Sequence, residues 1–252
     1  MIKLNKWAMV LLLLTTVPAS AMSISSLMLV NSDHQKGKAG IFTLTNSDDI
    51  TYFLQTTVSK IDIKNNQIIK TPYNRSNLAE WDIVTKPSKV VIEPKMIKEL
   101  MVEEVCGQQC SSARDRVYQI DITPVSYETK GGSKQNKVNM LFGFAPYYIV
   151  PAKESNVQYS LGFDGRTLNV SNSGNTLIKM VINQCEGKTA AELDALKKDK
   201  TKRCRINYTV LAGRDRDLEL PPELRRSRLD IVVLNHDETI REERVVEAGY
   251  KE

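Results

Sequence analysis

The stretch Lys137-Val138-Asn139-Met140-Leu141-Phe142-Gly143-Phe144-Ala145-Pro146-Tyr147-Tyr148-Ile149-Val150 decides the reading of this chain. Its first nine residues alternate. Val138, Met140, Phe142 and Phe144 share one face, and Asn139, Leu141, Gly143 and Ala145 share the other. Side chains of an extended strand point to opposite sides in turn, so the first set forms one strongly apolar surface. Ahead of it lies Thr129-Lys130-Gly131-Gly132-Ser133-Lys134-Gln135-Asn136, a loop by composition. A bulge near Gly143 would flip the side chains that follow it.

Outward from this segment the same period of two recurs. Tyr118, Ile120 and Ile122 alternate with Gln119, Asp121 and Thr123; Tyr52, Leu54, Thr56 and Val58 alternate with Phe53, Gln55, Thr57 and Ser59. Ile41–Asn46 and Lys89–Pro94 are further short β-rich runs. Asn, Asp, Gly and Pro punctuate them, without intervening helices, which favours an all-β sandwich. The pattern restarts after Pro151-Ala152-Lys153-Glu154-Ser155. Val157, Tyr159 and Leu161 alternate, Gly165–Asn172 and Leu177–Ile182 are strands, and two late strands fall near Tyr208–Leu211 and Leu229–Leu234. Asn172-Ser173-Gly174-Asn175 is a hairpin signal. One short helix interrupts the second half at Thr189–Lys198, with Leu193 and Leu196 three apart. The expected division is a leader at 1–21, a first domain at 22–151 and a second at 152–252.

The leader reading rests on three parts. Lys3 and Lys6 are basic, Trp7–Leu14 is apolar, and Pro18-Ala19-Ser20-Ala21 is a small-residue site, the pattern of a secretory signal cleaved after Ala21. The apolar run is shorter than the roughly 20 residues that span a bilayer. Export makes disulfides durable. Cys106, Cys110, Cys185 and Cys204 allow three pairings, and their spacing favours two local bridges, Cys106–Cys110 and Cys185–Cys204. Zinc is the rival reading; it lacks a C-x-x-C knuckle and a nearby histidine.

The formal charge of +5 falls to about +3 without the two leader lysines, only mildly basic. Basic residues are scattered among acids, which speaks against a nucleic-acid partner. The one dense cluster, Lys197–Arg203, reads as a solvated face. Enzyme chemistry lacks its usual carriers: no G-x-S-x-G, H-E-x-x-H, P-loop or G-x-G-x-x-G occurs. His34 and His236 stand in polar loops and read as surface residues. Cys106-Gly107-Gln108-Gln109-Cys110 reads as a structural staple; its spacing and surroundings do not match a thioredoxin-like pair. No cofactor and no metal are expected, and no catalysis.

The ordered features resemble the PapD-like chaperones of chaperone–usher pili across nearly the whole exported part. Pro87–Lys95 looks like their turn into a strand, and Ala113-Arg114-Asp115-Arg116 like the basic and acidic residues leading into their aromatic strand. Ile24–Met28 with Asn31-Ser32-Asp33, the turn in Leu168–Leu177, and a cysteine, a loop, a second cysteine, Tyr208 and Leu211-Ala212-Gly213 look like the alternative branch that includes the common-pilus chaperones. The resemblance implies two immunoglobulin-like sandwiches in an L or boomerang, the second with a short helical insertion. It implies a periplasmic protein that stabilises pilus (fimbrial) subunits by donor-strand complementation and passes them to an outer-membrane usher. The lent strand adds to the subunit's sheet, a form of β-augmentation. Val138, Met140, Phe142 and Phe144 would be the side chains that fill the subunit.

The family's basic pair for a terminal carboxylate does not carry over. The first strand, Ser26–Val30, has no arginine, and Ala145-Pro146-Tyr147 stands where a lysine would fall. Lys36 and Lys38 are the candidate substitutes. An exposed apolar strand would also permit self-association in the free protein. Two other readings compete: an exported immunoglobulin-like structural or adhesive protein, which would bury the Val138–Phe144 stripe in its own core, and a thiol enzyme using Cys106 and Cys110.

Overall fold

The computed structural model describes residues 22–32, 40–107, 112–125, 143–186, 188–191, 194 and 203–251. The described residues form strands in four sheets, two per domain. In the first domain, β1 (Met22–Ile24), β3 (Gly40–Asn46), β8 (Ile97–Glu104) and β6 (Ile83–Lys86) form one sheet in that order. The facing sheet runs β2 (Met28–Val30), β10 (Tyr147–Val150), β9 (Arg116–Val125), β4 (Tyr52–Lys64), β5 (Gln67–Pro72), with β7 (Lys89–Ile92) also on β4.

Alternation drives the burial. Tyr118, Ile120 and Ile122 of β9 are fully buried, and so are Phe42 and Leu44 of β3 and Leu100 and Val102 of β8. These side chains meet between the two sheets in one core. Each fully buried apolar side chain is worth about 1.5–3 kcal/mol relative to exposure.

The opening strand changes sheets. Met22–Ile24 pairs antiparallel with β3, whereas Met28–Val30 pairs parallel with β10, Tyr147 opposite Met28. Ser26 sits at the crossing, where its Oγ accepts from the Met28 amide at 3.1 Å.

The second domain repeats the plan. One sheet runs β15 (Asp215–Glu219), β12 (Thr167–Asn172), β11 (Tyr159–Phe163), β18 (Tyr250–Lys251). The other runs β14 (Arg205–Val210), β13 (Ile178–Asn183), β16 (Arg228–Leu234), β17 (Arg241–Glu247). Leu168 and Val170 belong to the same core as Ile178, Met180 and Ile182 across the sandwich. The expected β12–β13 hairpin is therefore absent. The turn at Asn172–Asn175 carries the chain from one sheet to the other, because both strands bury their apolar faces in the shared core. The buried Asn172 side chain holds that crossing by donating to the carbonyls of Thr176 and Val210, both at 3.0 Å.

Of the inserted segment, Ala190, Ala191 and Asp194 are helical. Cys185 and Cys204 flank it as a disulfide, with Cα atoms 5.0 Å apart. His236 departs from its reading as a surface residue. Its side chain is only 9% exposed, because the turn that carries it packs on the linker, with Nδ1 3.4 Å from Ser155 Oγ.

Candidate binding strand and domain junction

The segment that leads out of the first sandwich is anchored at Phe144. Its amide donates to the Ile122 carbonyl at 3.0 Å and its carbonyl accepts from the Ile122 amide at 2.7 Å. This antiparallel bridge lies on the edge of β9 opposite β4. Nearer the linker, β10 takes over the same edge, Tyr147 opposite Gln119 and Val150 opposite Arg116.

Gly143 is required by this approach. A Cβ there would stand 2.8 Å from the Ile122 carbonyl oxygen, a backbone atom that cannot swing away. The Phe144 side chain is half-buried and packs on the first domain's core. Val138, Met140 and Phe142 lie outside the described residues, as do Lys36 and Lys38, Cys110, His34 and the expected leader. Cys106 is disulfide-bonded.

The two domains meet through one apolar cluster and one polar clamp. Ile61, Val117 and Ile149 lie on the outer face of the β9 sheet, and Leu177 of the second domain packs among them. Leu211 joins from the second domain, and Met28, Val30 and Tyr147 from the first. The clamp centres on Asp115, just before β9. Its Oδ2 accepts from the Leu177 amide at 2.7 Å and the Thr176 hydroxyl at 3.3 Å, while Oδ1 accepts from the Ala152 amide at 2.9 Å.

Asn175 answers from the other side. Its Nδ2 donates to the carbonyls of Ala113 (2.7 Å) and Glu154 (2.8 Å), and its Oδ1 accepts from the Asn156 amide at 2.7 Å. A second contact lies at the β4–β5 hairpin tip. There Asn66, with φ of 62°, accepts from the Asp215 amide at 2.9 Å through Oδ1 and from Arg214 through its carbonyl. Nothing in the sequence marks these residues as a junction. The Asn172–Asn175 turn signal finds the clamp's place without its role.

A buried polar network closes one end of the first sandwich. Tyr118 donates to Asp82 Oδ2 at 2.9 Å, and Lys60 reaches the same oxygen at 2.9 Å. Tyr73 OH accepts from the Asp82 amide at 3.1 Å and stacks on Trp81 with ring centroids 5.2 Å apart. Burial pushes the Tyr118 hydroxyl well above its ordinary range and Tyr73 up to about 12. Burial likewise raises Tyr148 to about 12, although its hydroxyl accepts from Asn31 Nδ2 at 2.7 Å. Among the described residues no group of three His, Cys, Asp or Glu side chains could hold a metal ion. The arrangement presents a strand edge and a fixed junction between two sandwiches.

Known proteins resemble this chain in sequence and in fold. Residues 24–151 match the family model described as the CS5 fimbrial protein N-terminal domain. The Escherichia coli 25.9 kDa protein in the CS5 3′ region is 26% identical over 110 residues, 44% of this chain. The match spans less than half of that relative, 46% of its length. Among solved structures, the E. coli chaperone DraB superposes with a TM-score of 0.51 at 13% identity, over 92% of this chain and 98% of its own. A chain from the complex of Salmonella enterica SafA pilin with the SafB chaperone gives 0.50 at 12% identity, over 91% and 96%. These likenesses establish the two-domain immunoglobulin-like chaperone fold.

Proposed function

The chain belongs to the CS5 fimbrial protein N-terminal domain family, and on that premise we propose that it is a periplasmic chaperone for fimbrial subunits, without catalytic activity. The observation that carries the reading is the fold: two sandwiches, joined here by the Asp115 clamp, in the fold of chaperones whose structures include one bound to a pilin. The subunit, an incomplete sandwich, would receive a strand from the segment ahead of Gly143. Main-chain hydrogen bonds would supply pairing and alternate apolar side chains would fill the open groove.

The register at Phe144 supports this assignment. With Phe144 opposite Ile122, unbroken antiparallel pairing puts Phe142 opposite Pro124 and Met140 beyond Val125, the last described residue of β9. Alternation alone assigns Phe144 to the subunit with the other three; its packing on the first domain's own core leaves Val138, Met140 and Phe142 as the side chains proposed to fill the subunit. Lys36 and Lys38 are the proposed carboxylate anchors. The loaded chaperone delivers its subunit to an outer-membrane usher, and the empty one shields its strand by self-association. The leader directs export and is cleaved after Ala21.

Expression of the full chain with the subunits of its own fimbria, followed by affinity purification from the periplasm, tests the reading. Equimolar recovery of a fimbrial subunit is expected. Recovery of the chain alone at full yield overturns it.

A further inference from the structure

The first domain keeps one strand edge that neither the lent strand nor the domain junction uses. Among the described residues β5 is the last strand of its sheet, bonded to β4 alone. The hairpin between them turns through Asn65 and Asn66, with φ of 49° and 62°, the two-residue turn that matches strand twist. Tyr73, just after β5, donates its amide to the Val58 carbonyl at 2.9 Å. Residues of an antiparallel strand send their backbone groups alternately to one side and the other. Counting back by two, Thr71, Ile69 and Gln67 bond to β4, while Pro72, Lys70 and Ile68 face outward.

Pro72 is closed to a partner. It has no N–H, and its carbonyl accepts from Asn77 Nδ2 at 3.1 Å and Asn74 Nδ2 at 3.3 Å. At the other end the second domain holds the hairpin tip through Asn66. Ile68 and Lys70 remain, both exposed, each with an outward N–H and C=O that meet no partner among the described residues. Sheet edges are commonly guarded by a lysine standing over the open side. Here the Lys70 ammonium lies 2.7 Å from Asp121 of β9, which draws its stem back across the sheet, two strands in from the edge. Ile68 and Ile69, on opposite faces of the strand, are left 45% and 40% exposed.

We propose that this edge pairs with the β5 edge of a second copy of the chain, antiparallel about a two-fold axis at Ile69. A two-fold interface sets the same surface on both partners, so the four outward groups of Ile68 and Lys70 must be matched by the same four. One antiparallel register does so, with Ile68 opposite Lys70, Lys70 opposite Ile68 and Ile69 opposite itself on the axis. Each Ile68–Lys70 pair exchanges both main-chain hydrogen bonds. Lys70 then faces an isoleucine, and the two Ile69 side chains cover each other. A register shifted one way sets Lys70 against Lys70 and Ile68 against the closed Pro72. Shifted the other way, it sets Lys70 against the turn at Asn66, which the second domain already occupies. The paired edge lies on the side of β4 away from β9, so the edge at Phe144 stays open in both copies. The contact is small, of the class that forms reversible pairs.

The intact chain purified from the periplasm is followed by sedimentation velocity from about 1 μM to about 1 mM, the range of weak pairs. Monomer should pass to dimer across it. Amide exchange of Ile68 and Lys70 should slow several-fold at the dimer end, while Gln67, Ile69 and Thr71, already bonded to β4, stay unchanged. Ile69→Glu and Ile69→Lys should each remain monomeric, because like charges meet on the axis. Their equal mixture should regain the dimer at the wild-type concentration. A monomer throughout, a dimer without slowed exchange at Ile68 and Lys70, or a mixture that stays monomeric overturns the proposal. A dimer abolished by Met140→Glu but kept by Ile69→Glu belongs to the lent strand and also overturns it. Should Ile69→Glu fail to fold, the concentration series and exchange rates of the wild type decide.

Discussion

Asp115 Oδ2 accepts a hydrogen bond from the Leu177 amide at 2.7 Å, across the boundary between the two sandwiches. Leu177 is fully buried, so water cannot replace that acceptor. The same carboxylate takes the Ala152 amide of the linker, which fixes three segments around one side chain.

Asp115→Ala should therefore cost about 1–3 kcal/mol, the penalty for buried donors left without a partner. Asp115→Asn keeps an acceptor oxygen and should lose less. Denaturant midpoints measure the cost, and small-angle scattering measures the domain arrangement. An unchanged midpoint and an unchanged scattering profile in Asp115→Ala would remove the clamp from the account.

Gly143 is the second sensitive position. Its missing Cβ lets the chain lie against the Ile122 carbonyl, where a side-chain carbon would come within 2.8 Å. Gly143→Val should cost about 1–3 kcal/mol, as overpacking does. The Ile122 amide, now bonded to the Phe144 carbonyl at 2.7 Å, should lose hydrogen-exchange protection. Full protection in the variant would show that the strand tolerates the added atoms.

Alkaline stability follows from the buried phenols. Tyr73 and Tyr148 are both raised from 10.0 to about 12, chiefly by burial. Below pH 10.0 folded and unfolded chains both keep these protons, and the contribution is fully present. Between 10.0 and about 12 the unfolded chain releases them first, so stability falls as pH rises. Denaturant midpoints across that window should decline, with tyrosinate absorbance in the native protein lagging behind free tyrosine. A flat midpoint would contradict the burial of these hydroxyls.

The Cys185–Cys204 bridge closes a span of 19 residues. Replacing both cysteines by serine should cost about 3 kcal/mol, since the unfolded chain regains the freedom of that loop. The second sandwich should remain folded on its own core, with the loss read as a lower thermal midpoint. A midpoint equal to wild type would mean that the insertion frays independently of the sheet.

The sequence made the inner strands legible where one face is apolar and the other polar. Tyr118, Ile120 and Ile122 alternate in the text and are all fully buried. Two polar edge strands escaped it. Strand β17 reads Arg241-Glu242-Glu243-Arg244-Val245-Val246-Glu247, and only Val246 is buried. Strand β15, with Asp215, Arg216 and Asp217, is equally polar because one margin of an edge strand meets water. The Asn172–Asn175 turn was visible, but whether the chain turns back on its neighbour or crosses to the opposite sheet is decided by the core, beyond a local signal. Asp115 and Asn175 were illegible as a clamp because their partners are mostly backbone groups brought together only by the fold. Much of the apolar Val138–Phe144 pattern lies outside the described residues, and Phe144 alone supplies its observed register.

That register separates two kinds of substitution on one strand. Phe144 packs on the first domain's own core, so Phe144→Glu buries a charge there and should destabilise the free protein, by an amount read as a lowered denaturant midpoint. Met140 is assigned to the subunit groove, so Met140→Glu should leave the midpoint within about 0.5 kcal/mol of wild type, as surface changes do. It should nonetheless abolish recovery of fimbrial subunit in the periplasmic purification, because a charge would enter the subunit's apolar groove. Phe142→Glu should behave like Met140→Glu. If Met140→Glu unfolds the protein, the stripe belongs to the chain's own core and the adhesive or structural reading gains. If Met140→Glu folds and still recovers subunit at wild-type yield, the lent strand lies elsewhere on the molecule.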